Sequence, residues 1–242
     1  MPNPIFSQNV MGKETILESE PMTINGAINK TFILFGCLAV SSFVVWDLFS
    51  KGYTDKVSIL TMAGLVVSII SFLVIMFNRK AIAVAAPIYA AAEGLLLGGI
   101  SAFIDAKYPG IAFQAITLTF MALFSMLFLY RIGAIKCTEK FRSVLFISTF
   151  SILGIYIINF IGSFFGMQIP QINSSSTIGI GFSLLVVTIA SLNLIIDFDF
   201  IERGAQSMLA KSYEWYGAFG LMVTLVWLYI EILNLLSKLR ER

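Results

Sequence analysis

The sequence predicts an all-α membrane protein, a bundle of seven transmembrane helices, and three observations predict it. Of 242 residues, 58% are hydrophobic and 12% charged, about half the charge of a soluble domain. The apolar residues fall in runs of roughly 20, the length that spans a hydrocarbon core. The alternating segments of about ten residues that mark a transmembrane barrel are absent.

Taken in order, the spans are Thr31–Phe49, Val57–Phe77, Ala81–Ile104, Ile111–Tyr130, Ser143–Phe165, Thr177–Ile196 and Trp215–Leu236, each bounded by charges, glycine or proline. The first follows a stretch holding Pro2, Pro4, Pro21, Glu14, Glu18 and Glu20. No basic region feeds an apolar core there, so the stretch does not read as a signal peptide and the first span reads as a retained helix. The second ends at a short basic loop, 78–80. The third carries Ala90, Gly94 and Gly98 at four-residue spacing, a face of small side chains that lets another backbone approach closely. The fourth opens after Pro109-Gly110, and the fifth follows the charged loop 131–142. The sixth stops at Asp197, and the seventh precedes Lys238. Three parts result: a soluble tail over 1–30, a membrane domain over 31–236 and a basic tail over 237–242. Linkers are short, and no internal repeat marks an inverted-repeat transporter.

Lysine and arginine in the short loops set orientation. Ten fall on the side of the N-terminal tail and six on the other, which predicts a cytoplasmic N-terminus. Net charge is only +2, which gives no case for nucleic acid. The chain has no histidine, which excludes histidine–metal sites and a Ser–His protease, and leaves proton chemistry to carboxylates. Cys37 and Cys137 form neither a disulfide framework nor a metal spacing.

Acids at membrane depth are therefore the candidate functional residues, because a carboxylate there costs about 2.5–3.5 kcal/mol on insertion scales. They are Glu93, the Asp197/Asp199 pair and Glu231. Asp197 and Asp199 lie about 200° apart on a helix and face different surroundings. Asp199 precedes Arg203 by four, a favoured acid-before-base spacing at a helix C-terminus. Asp197 gets no such help, and burial and the negative helix end both disfavour its ionised form. The bland alternative is that these charges mark the membrane exit of the sixth span. Glu231 is the only charge in residues 220–236, and Asn234 on its face is the expected hydrogen-bond partner. Glu93, beside Gly94, sits where close helix contact is expected.

IYAAAEGLLLGGIS (88–101), IIDFDFIERG (195–204) and LYIEILNLL (228–236) resemble the transmembrane Bax inhibitor motif family, Bax inhibitor-1-like, in its bacterial branch. The likeness runs from about residue 25 onward. It implies seven helices with the last one central, and a pH-sensitive calcium leak in which carboxylates on spans six and seven share a proton. Carried over by position, Asp197 is the span-six acid and Glu231 the span-seven acid, where the family's leak members have aspartate. The basic latch of the family falls near FNRKA (77–81), which brings in Arg79, though alignment through the Lys–Ala end puts Phe77 at that position. Distance along the chain leaves two pairings open for Glu231: with Asp197, or with Glu93.

The leading expectation is thus a pH-gated leak with calcium and protons as its partners in a bacterial plasma membrane, with no enzyme activity and no cofactor. Carboxylates are suitable hard oxygen ligands for calcium. The alternative is a non-transporting regulator that binds a membrane protease or another membrane complex, docking through its N-terminal tail. An intramembrane aspartyl protease would also use two carboxylates, but no glycine-flanked aspartate is present and span seven offers glutamate.

Overall fold

Backbone at membrane depth must satisfy its own hydrogen bonds, so long apolar runs close into helices. The computed structural model describes residues 20–166 and 174–242. Among them are seven helices long and apolar enough to cross a membrane. They are α1 (Ile24–Ser50), α2 (Thr54–Phe77), α3 (Ile82–Lys107), α4 (Ile111–Arg131), α5 (Glu139–Phe164), α6 (Thr177–Gln206) and α7 (Tyr213–Glu241), with a 3-10 turn, Arg79–Ala81, leading into α3. The described residues hold no strand, only an isolated bridge between Pro21 and Ala210. The chain is an all-α, multi-pass membrane protein.

The helices outrun the apolar spans because capping, not hydropathy, sets their ends. Thr23 has extended backbone and its Oγ1 accepts from Gly26 N at 2.9 Å, so α1 starts at Ile24 rather than Thr31. Residues 24–30 of the expected tail are therefore helical, while 1–19 lie outside the described residues. Thr138 caps α5 in the same way through Phe141 N. At the start of α4 the cap position is Gly110 with φ +81°, which offers no side chain. Asp105 replaces it by accepting from Ala112 N at 3.1 Å. At the other end, α6 continues through Asp197 and Asp199 to Gln206, so the expected loop 197–214 contracts to residues 207–212. α7 likewise takes in most of the basic tail.

Burial is uneven. In α3 and α7, 56% of the most apolar stretch is buried, against 11–39% in the other five. The resemblance implied one enclosed helix, the last; here α3 is enclosed as fully as α7.

The chain divides into two compact units. The first comprises residues up to Gly99 together with Asp199–Met222. Within it α3 lies close against two neighbours. A Cβ at Gly94 would stand 2.0 Å from Ser41 Oγ and 2.3 Å from Leu38 O of α1, and one at Gly98 2.9 Å from Ser42 Cα. Ser42 Oγ donates to Gly94 O at 2.9 Å, and Ala90 is fully buried. On α2, a Cβ at Gly64 would meet Ala92 O at 2.6 Å.

The first unit also contains a strap, the segment before α1 laid along the α6–α7 loop. Met22 N donates to Leu209 O at 2.7 Å, and the Met22 side chain packs with Ala27, Ile201, Leu209 and Tyr213. Glu214, 2% exposed, accepts from Thr23 N and Thr23 Oγ1, both at 2.9 Å, and from the Lys30 ammonium. Outside the spans, the Lys211 ammonium bonds Glu20 and holds its carboxyl below the usual range.

The second unit comprises Ile100–Phe198 and Val223–Arg242. Asn193 ties α6 to Thr149 of α5 at 3.1 Å, and Ser101 bonds Tyr229 at 2.6 Å.

Candidate functional site

In the second unit one face of α7 carries Thr224, Glu231 and Lys238, seven residues apart. Two helical turns separate successive members, roughly 10 Å along the axis. Each meets a polar group from α5 or α6. The Thr224 hydroxyl faces the Asp197 carboxyl. Glu231, 3% exposed, accepts from Tyr156 Oη at 2.9 and 3.0 Å and from Trp227 Nε1 at 3.2 Å. Lys238, 4% exposed, donates to Ser183 Oγ at 2.8 Å and Gly179 O at 3.4 Å.

These contacts fix the antiparallel register. Asp197 stands opposite Thr224 and Ser183 opposite Lys238, with the same chain length between them on each helix. Glu231 therefore stands opposite Ala190, about two turns or roughly 10 Å from Asp197. The expected direct Asp197–Glu231 contact, one proton held between two carboxyls, does not fit this register. The hairpin explains why: α6 ends at Gln206, nine residues past Asp197, whereas Glu231 lies 18 residues beyond the start of α7 at Tyr213.

The surroundings of the two acids differ. Among the described residues, Asp197 Oδ2 is enclosed and has no hydrogen-bond partner. Both Glu231 oxygens are satisfied. Asn234, the partner expected for Glu231, is exposed. Side chains on a helix lean toward its N-terminus, so Glu231 reaches Trp227 one turn back instead. Tyr156 was not legible as a partner, although a lone phenol in the apolar run of α5 is a polar group that needs one. Tyr156→Phe is expected to cost about 1–3 kcal/mol by leaving Glu231 underbonded in a buried site. Thermal unfolding in detergent micelles measures it.

The other candidates lie in the first unit. Asp199, 5% exposed, takes Arg203 Nε at 2.8 Å, the spacing and polarity expected of that pair. Arg79 is in the turn before α3, where its carbonyl accepts from Tyr216 Oη at 3.2 Å; Phe77 is exposed. Glu93 is enclosed in α3, facing the hydroxyls of Tyr89 and Ser68. Among the described residues no three Asp, Glu or Cys side chains gather as a metal-holding set.

Long apolar helices with polar side chains paired inward place the chain among multi-pass helical membrane proteins. The family model Bax inhibitor 1 like matches residues 3–241, and the chain belongs to that family. No curated protein and no solved structure matches it.

Proposed function

We propose that the protein is a pH-sensitive cation leak, with calcium as the ion, in a bacterial plasma membrane with its N-terminus cytoplasmic. Asp197 and Glu231 are its proton-exchanging carboxylates. The observation that carries this reading is the enclosed Asp197 Oδ2 without a partner among the described residues, set against the α7 face that carries Glu231. A carboxylate oxygen left unsatisfied in an enclosed site is costly, and binding a proton or a cation relieves that cost. The register supports two separate stations, one at Thr224 and one at Tyr156 and Trp227, over a single shared proton. Carboxylates met one at a time suit passage rather than tight holding, since a conducted ion must also leave.

Flux measurements test this. Liposomes carrying the protein and loaded with a calcium dye are expected to admit calcium at a rate that changes between about pH 6 and about pH 8. Glu231→Gln, which keeps the size and polarity of the side chain, is expected to flatten that response. An unaltered pH response in the variant removes Glu231 from the mechanism. No influx by folded wild type at any pH removes the leak itself and leaves the non-transporting regulator.

A further inference from the structure

The polar row along α7 presents carboxyls at two levels, Asp197 beside Thr224 and then Glu231, and it ends in an amine. Lys238, two turns beyond Glu231, is 4% exposed, and neither acid of the proposed leak accounts for a lysine enclosed at this level. Its Nζ donates to Ser183 Oγ at 2.8 Å and to Gly179 O at 3.4 Å. Gly179 and Ser183 are four residues apart and share one face of α6, and Ser183 is itself 1% exposed.

Hydroxyl and carbonyl oxygens are neutral ligands of the kind that hard cations take. At the level of Lys238 two such oxygens are already held by a nitrogen tied covalently to the protein. A cation that has left Glu231 along this face therefore meets an enclosed level where its ligands are occupied. The helix end is not free to swing aside. Glu241, three residues on, accepts from Ser175 Oγ at 2.8 Å and from Lys107 Nζ at 3.4 Å, and Arg240 Nη2 donates to Gln114 Oε1 at 3.4 Å. These ties run to the segment before α6, to the end of α3 and to α4. The part left to move is the lysine side chain, on its flexible four-carbon stem.

We propose that Lys238 is a tethered plug of this row: its amine occupies the oxygens of Gly179 and Ser183, and passage of a cation requires the side chain to swing away from them. The inference rests on the leak proposed above and names its gate. The plug acts by occupying the oxygens, so it does not depend on the protonation state of any group.

Calcium influx into dye-loaded liposomes, recorded for the full chain and for Lys238→Ala, tests it. Removing the amine is expected to raise influx about tenfold, the factor that one hydrogen bond is worth. Lys238→Arg, whose donors can refill the oxygens, is expected to stay below Lys238→Ala. Influx in wild type at the same rate as in Lys238→Ala overturns the plug and leaves the leak standing, whereas no influx through either folded protein overturns both. Escape of an uncharged solute together with calcium marks a general hole and also overturns the plug. Should Lys238→Ala fail to fold, Ser183→Ala serves: loosening the tether is expected to raise influx, and an unchanged or lower rate overturns the plug.

Discussion

Gly94→Ala is expected to lower stability by about 2–3 kcal/mol, the upper range for overpacking. In an unpacked helix interior the same change gains about 1 kcal/mol from helix propensity. Here the new methyl would lie 2.0 Å from Ser41 Oγ and 2.3 Å from Leu38 O. The serine can rotate away, but Leu38 O is backbone and cannot retreat unless α1 moves as a body. Separating α1 from α3 also breaks the bond from Ser42 Oγ to Gly94 O. Gly36→Ala is the control, since nothing lies within 4 Å of its added Cβ, and a neutral or stabilising effect is expected. Thermal unfolding in micelles reads both; equal effects at the two glycines would show that α1 does not bear on α3 at Gly94.

Lys30→Met is expected to be the most damaging change among the charged residues, at about 3–5 kcal/mol. Removing one member of a buried ion pair leaves the other charge uncompensated, and Glu214 is 2% exposed. The Thr23 bonds remain, but they satisfy hydrogen-bonding capacity without neutralising the charge. Replacing both partners, Lys30→Met with Glu214→Leu, is expected to restore much of the loss, because apolar substitutes of similar volume often match a buried pair. A double-mutant cycle decides it: additive losses would mean the pair is not coupled. Gly26 belongs to the same contact, since a Cβ there would fall 2.1 Å from Glu214 Oε1.

The two cases show where the sequence is legible and where it stops. Each apolar run announces its own helix, and the family resemblance rests on local motifs, so fold and family could be read directly. The Asp199–Arg203 pair is also local, one turn apart on one helix. Lys30 marks the limit. Taken alone it reads as the edge of a soluble tail, because its neutralising partner Glu214 is 184 positions away and no periodicity connects them. Glu231 presents the same difficulty. Its partner at the shortest distance, Tyr156, comes from a different helix, while the nearby Asn234 shares only helical spacing with it. Helix ends differ from the ends of the apolar runs for a related reason: hydropathy marks where lipid-compatible residues stop, whereas Thr23 sets where hydrogen bonding begins.

The heptad spacing of Thr224, Glu231 and Lys238 has a mechanical consequence. A straight α-helix drifts by about 20° per seven residues, so Lys238 starts about 40° out of line with Thr224. The long lysine side chain absorbs part of that angle, and a slight left-handed coiling of α7 against its neighbours, the sense that a seven-residue repeat favours, is the expected way to take up the rest. Seated in this way, α7 cannot slide by a single turn without unseating its contacts with both α5 and α6 at once. It can, however, wind or unwind slightly while keeping its register. A change of protonation at one level of the face is thus expected to reach the others as twist rather than as a piston stroke.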